Sequence, residues 1–216
     1  TAASSTVSAA VGTGANAVSN GSYLPAASSP VWDSAYKQIR GINYLLEKAS
    51  QSQLGSALDR WVGEALFFRA YNYFRLVSAF GGVPKIDKVL DITSPELYTP
   101  RASQKEIIDF LLSDLENAAE KLPEQGALGE TELGRVTRGA ALALRARAAL
   151  YMGTWAKYHH EGDAAGYIDI AIDAANKVVA SNEYALYDGK GADSYKYLFI
   201  LQGDDSREVI LARRYY

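Results

Sequence analysis

The sequence predicts a mainly α fold of TPR-like antiparallel helix pairs, with minor strand near the C-terminus. Apolar residues recur at helical spacing in several long segments, and Gly and Pro breaks separate them. The helices return in pairs at about the 34-residue period of tetratricopeptide repeats. Small residues (Ala70, Ala148 and Ala171) stand where paired helices approach closely. Helix pairs stacked as a piece of a solenoid are the simplest architecture.

Residues 1–32 are rich in Ala, Ser, Thr, Gly and Asn. Gly12 to Pro30 reads as a long loop marked by Asn20-Gly21 and two prolines. A first helix starts near Ser29-Pro30, where proline suits the opening turn. Trp32, Tyr36, Ile39, Ile42 or Asn43, and Leu46 form its apolar face. Gln51 to Ser56 connects it to a central helix that runs to Phe80. In that helix Leu58, Val62, Leu66, Arg69, Tyr73, Leu76, Val77 and Phe80 make one stripe, and Trp61, Phe68, Tyr71 and Phe74 a second. Two apolar faces predict a helix buried between neighbours. Gly81 is expected to cap it in a left-handed conformation, and Pro84 cannot continue it.

Lys85 to Pro100 is irregular. Ser103 and Glu106 then have the spacing of a capping box, followed by a stripe from Ile108 to Leu122 that Pro123 ends. After a Gly/Glu-rich turn, Thr137 caps an alanine-rich helix from Gly139 to about Lys157, with Ala141, Leu144, Ala148, Tyr151 and Trp155 on its face. Tyr167 to Ser181 forms another helix, and Ser194 to Leu201 holds one turn. Glu208 to Arg213 is rich in branched residues and predicts a strand.

Composition narrows the function. With 22 basic and 25 acidic residues and no basic patch, nucleic acid is not an expected partner. No cysteine is present, which excludes disulfides and thiolate metal sites. No apolar run is long enough to span a bilayer as a helix. His159 and His160 are adjacent, so they do not share a helix face as a chelating pair would. Asp204-Asp205-Ser206 reads as a turn, with calcium the alternative. No P-loop, dinucleotide fingerprint or nucleophile elbow occurs, and no two carboxylates are paired for glycoside hydrolysis. No enzyme activity and no cofactor are expected. Glu64 and Arg69 are charges in the most apolar helix, and buried charges need partners. Arg145 or Arg147 is the expected partner of Glu64.

Gly63-Glu64-Ala65, Phe68-Arg69-Ala70-Tyr71, Tyr73-Phe74 and Gly81-Gly82-Val83-Pro84 resemble the signature helix of the SusD/RagB family. Four further segments match that family's pattern in order. They are Trp32 to Asn43; Arg101-Ala102-Ser103 with Asp114-Leu115 and Leu122-Pro123; Gly134 to Tyr151; and Glu208-Val209-Ile210. The resemblance spans about Trp32 to Ile210. It implies a SusD-like protein that binds a nutrient, mostly a glycan with an oligopeptide as alternative. It also implies a place on the extracellular face of the outer membrane in Bacteroidota, and a SusC-like TonB-dependent transporter as partner. The family carries a lipidated cysteine at its mature N-terminus. None is present here, so membrane attachment is expected only through an anchor absent from this chain, which reads as an internal piece. Its expected organisation is one SusD-like helical domain fragment over 1–216. That comprises a loop-rich segment (1–30), helical repeats (31–182) and the start of an irregular ligand-binding part (183–216).

The long uncharged loop from Val18 to Trp32 is the expected contributor to a ligand site. Asn20 offers hydrogen bonds to hydroxyls or amides, though Asn-Gly is equally a turn signal. Tyr23 stands alone among small residues, which suits stacking on a sugar ring. Trp32 also begins the helical stripe, so a core role stays open beside the ligand role. A helical-repeat interaction scaffold would share every helix, and only ligand binding would distinguish it.

Overall fold

The computed structural model describes residues 21, 22, 24, 28–200 and 206–212. Among them are six α-helices: α1 (Pro30–Gln51), α2 (Asp59–Phe80), α3 (Gln104–Lys121), α4 (Arg138–His159), α5 (Ala164–Ala180) and α6 (Ser194–Leu198). The chain divides into two compact units, residues 1–33 and 34–216. The second holds the helical body.

Successive long helices run antiparallel. Asn43 and Gln38 on α1 meet Arg69 and Asn72 on α2. Asp59 and Arg69 on α2 meet Lys121 and Asp114 on α3. Glu116 on α3 meets Arg145 on α4, which also reaches Asp173 on α5. Close approach depends on glycines at two of these seams. A Cβ on Gly63 would stand 2.9 Å from the Leu122 side chain, and one on Gly153 would stand 2.8 Å from Ile168. Ala70, Ala148 and Ala171 are all buried, as the spacing predicts.

Local chemistry sets the helix ends. The Ser103 Oγ accepts the Glu106 N–H, and the Glu106 carboxylate accepts the Ser103 N–H at 2.8 Å, so the capping box is complete. Thr137 caps α4 and Asp163 caps α5 through their side-chain oxygens. Gly81 takes a positive φ of 67°, as expected, but with ψ −131°, outside the left-handed helical region. That conformation is essentially restricted to glycine. It turns the chain so that Gly82 lies against the Ala102 carbonyl, 2.3 Å from where a Cβ would sit.

The irregular segment after Pro84 is held by polar side chains of α1 and α2. The Tyr36 hydroxyl donates to the Pro84 carbonyl at 2.7 Å. Asn43 Nδ2 donates to the Ile86 and Lys88 carbonyls. The fully buried Tyr73 hydroxyl accepts the Ile86 N–H and donates to the Ile86 carbonyl. Burial pushes its phenol up to about 12. A buried backbone without a ladder needs such partners.

Three expectations are corrected. First, the segment from Glu208 is not a strand: its described residues form a turn and bends. Between it and residues 182–187 the backbone-to-backbone contact is the Ala185 N–H to the Arg207 carbonyl, and the Glu208 side chain accepts the Tyr187 N–H. One such bond makes no ladder. Second, the buried face of α4 is broader than Ala141 to Trp155. It includes Gly139, Leu142, Arg145, Met152 and Ala156, while Leu144, Tyr151 and Trp155 are half-buried. With α3 on one side and α5 on the other, an all-round covering of small residues serves better than one stripe. Third, the second stripe of α2 is not buried. Trp61, Phe68 and Tyr71 remain 47%, 44% and 43% exposed, and Phe74 is half-buried. α3 and polar side chains of α1 pack on other faces of α2, and within this stripe Tyr151 of α4 meets Phe74 edge-to-face with ring centres 5.7 Å apart.

Candidate ligand-binding surface

The charges embedded in α2 are structural. Arg69 binds Asp114 through Nε–Oδ2 at 2.7 Å and Nη2–Oδ1 at 2.8 Å, and its Nη1 donates to Asn43 Oδ1. Burial holds the Asp114 carboxyl above the usual carboxylate range, and the Arg69 hydrogen bonds offset only part of that. Glu64 pairs with Arg135, not with Arg145 or Arg147. Arg135 Nε and Nη2 donate to its two carboxylate oxygens at 2.8 and 2.7 Å. Arg135 precedes α4 and so reaches the outer side of α2, whereas Arg145 faces α3 and α5.

Of the residues expected at a ligand site, Trp32 lies half-buried in the first turn of α1. Asn20 and Tyr23 lie outside the described residues. Asp204 and Asp205 lie outside them as well. His159 stacks on Trp155 with ring centres 4.0 Å apart, and His160 follows it, exposed at the helix end. Among the described residues no three His, Asp or Glu side chains converge as a metal site would require.

Two surfaces have the shape or composition to bind something. A groove of about 570 Å³ opens where the end of α3, the first turns of α4 and the end of α5 meet. Leu122 and Leu142 line it together with Glu120, Arg138, Arg145 and Lys177. Its cations are each ion-paired: Arg138 with Glu124 at 2.7 Å and Arg145 with Glu116 at 3.1 Å within the lining, and Lys177 with Asp173 beside it at 2.7 Å. Among the described residues no aromatic ring lines it, so they offer a sugar ring no stacking platform there.

The second surface is the exposed face of α2. Trp61 and Phe68 are seven residues apart and share one line along the helix, with Tyr71 a turn further. The Arg135 guanidinium covers one face of the Trp61 ring, 4.4 Å from its centre. Phe68 meets Phe67 edge-to-face at 5.3 Å. The spacing of these rings was visible in the sequence, but periodicity alone does not say whether a neighbour covers them.

A family model described as "Starch-binding associating with outer membrane" matches residues 8–150, about two thirds of the chain. The chain is 25% identical over 191 residues to the SusD-like protein P38 of Formosa agariphila, covering 85% of this chain and 34% of that protein. A solved SusD-like protein from Bacteroides fragilis shares the fold with a TM-score of 0.73 and 33% identity, over 86% of this chain and 33% of that one. A solved laminarin-binding SusD-like protein matches with a TM-score of 0.69 and 25% identity, over 94% of this chain and 41% of that one. The chain spans about a third of the length of the curated protein P38. With the family model matched over residues 8–150, the chain belongs to the SusD/RagB family, described as starch-binding and associated with the outer membrane.

Proposed function

We propose that this chain is the helical part of a cell-surface protein that captures a glycan. The protein delivers that glycan to a SusC-like TonB-dependent transporter. It acts on the extracellular face of the outer membrane, held there by a lipid anchor. Family membership over residues 8–150 carries the reading, since the family is described as starch-binding and associated with the outer membrane. A related solved protein named for laminarin binding aligns over 94% of the chain and supports a polysaccharide ligand.

The helical body acts as scaffold, and the loop before it contributes contacts. Tyr23 supplies an apolar ring for stacking, Asn20 a donor and acceptor for sugar hydroxyls, and Trp32 a second ring at the start of α1. Affinity electrophoresis of the full-length protein in gels containing starch or laminarin tests the function. Retardation by one of them is expected, with weaker retardation for Tyr23→Ala. Binding of oligopeptides in the absence of any glycan binding would replace the ligand class with peptide.

A further inference from the structure

We infer that the groove between α3, α4 and α5 is a second carbohydrate site, and that it takes a sugar residue bearing a carboxylate, a uronic acid. The inference rests on the proposed glycan capture and extends it to an acidic class of glycan. No residue of the loop before α1 is among the described lining. Three carboxylates and three cations line the groove, with Asp173 beside them. They are segregated by element. Glu116, Glu120 and Glu124 come from α3 and the turn after it, whereas Arg138 and Arg145 come from α4 and Lys177 from α5. A smaller compartment of about 260 Å³ shares Glu124, Arg138, Leu142 and Lys177 and continues along α5 to Ser181.

Two groups in this lining are incompletely used by the chain. Arg145 is only 8% exposed, and its Nε has no hydrogen-bond partner, although Glu116 lies 3.1 Å and Asp173 3.7 Å from its Nη atoms. A guanidinium so buried with a donor unspent is electrostatically incomplete, and an acceptor brought into the groove beside it offsets that cost. Opposite in charge, the exposed Glu120 carboxylate has no ion-pair partner among the described residues. Lys177 adds an exchangeable cation. It and Asp173 are about half exposed and one turn apart, and such a surface pair contributes little, so Lys177 can trade Asp173 for a ligand carboxylate.

These groups select the ligand. A neutral sugar depends on a stacking ring, and the described lining has none. A purely apolar acid would leave the carboxylates of α3 unmatched. A uronic acid meets both walls: its carboxylate accepts from Arg145 and Lys177, and its hydroxyls donate to Glu120. Leu122 and Leu142 give its ring carbons an apolar surface. An amino acid or peptide end also carries a donor and a carboxylate, but the starch-binding description of the family favours the sugar.

Calorimetric titration of the full-length protein with oligogalacturonate, with its methyl ester and with neutral oligosaccharides from starch and laminarin tests this. Oligogalacturonate is expected to bind saturably, and the ester, which keeps the hydroxyls and loses the charge, about tenfold or more weakly. Lys177→Gln and Glu120→Ala change exposed side chains. Each is expected to weaken oligogalacturonate about fivefold or more, with melting temperature and neutral titrations unchanged. Arg145→Lys, which keeps the charge and loses the planar fork, is expected to weaken it as well. No binding of oligogalacturonate, equal binding of the ester, or binding indifferent to Lys177→Gln and Glu120→Ala overturns the proposal. Oligoglutamate that binds as tightly and responds to the same two variants assigns the groove to peptide and also overturns it. Binding of the neutral series without the acidic one sinks this inference alone, whereas absence of both sinks the proposed function with it.

Discussion

Arg69 and Asp114, 45 residues apart in sequence, form a two-bonded ion pair with side chains only 9% and 6% exposed, and this pair locks α2 to α3. Removing one partner strands the other charge in the core. Arg69→Ala or Asp114→Ala should therefore each cost about 3–5 kcal/mol. The Asp114 carboxyl sits above its usual range because burial outweighs the arginine. The pair is thus expected to add little over an apolar pair of similar volume. Arg69→Met with Asp114→Leu should recover most of the single-variant loss in a urea-unfolding double-mutant cycle.

Tyr73 and Tyr71 separate core from surface on one helix. Tyr73 is fully buried and both donates to and accepts from Ile86, so Tyr73→Ala should cost about 3–5 kcal/mol. Tyr71 is 43% exposed, so Tyr71→Ala in the 1–216 chain should cost about 1 kcal/mol or less. Equal losses by thermal or chemical unfolding would contradict this assignment of faces.

The turn at Gly81-Gly82 should resist substitution for two different reasons. Gly81→Ala meets a backbone conformation that side chains disfavour, at about 1–3 kcal/mol. Gly82→Ala meets the Ala102 carbonyl, which belongs to the backbone just before α3 and has little room to move. Unfolding midpoints of the two variants should both fall, and that of Gly41→Ala, with open space around its Cβ position, should not.

The capping box carries a pH signature. Hydrogen bonds from the Ser103 hydroxyl, and then from its backbone N–H, hold the Glu106 carboxyl below its ordinary 4.5. Its folded pKa is lowered, so its contribution is complete above about pH 4.5 and is lost as pH falls through the lowered value. Stability measured against pH should therefore show a shallower acid limb in Glu106→Gln than in the unsubstituted chain. An unchanged limb would mean that the carboxylate does not stabilise the cap.

Features set by neighbours in the chain were legible in the sequence. The Ser103–Glu106 box, the Thr137 cap and the stop at Gly81 each depend on a few consecutive residues. Features set by distant residues were not. Glu64 required a cation, but the choice of Arg135 over Arg145 depends on how α2 and α4 face each other. The aromatic row of α2 had the right period for a helix face, yet period does not distinguish a face covered by α1 or α3 from one left open. The expected strand at Glu208 failed because a strand needs a ladder partner, and residues 182–187 offer a single backbone bond. For the ligand site, Trp32 is placed at the head of α1, while Asn20 and Tyr23 fall outside the described residues.

Glycan capture is the central claim, and calorimetric titration of the full-length protein with oligosaccharides cut from starch and from laminarin tests it most directly. Saturable binding to at least one of the two series is predicted, with affinity reduced by Tyr23→Ala at unchanged melting temperature. No heat of binding with either series, together with saturable binding of oligopeptides, would contradict it.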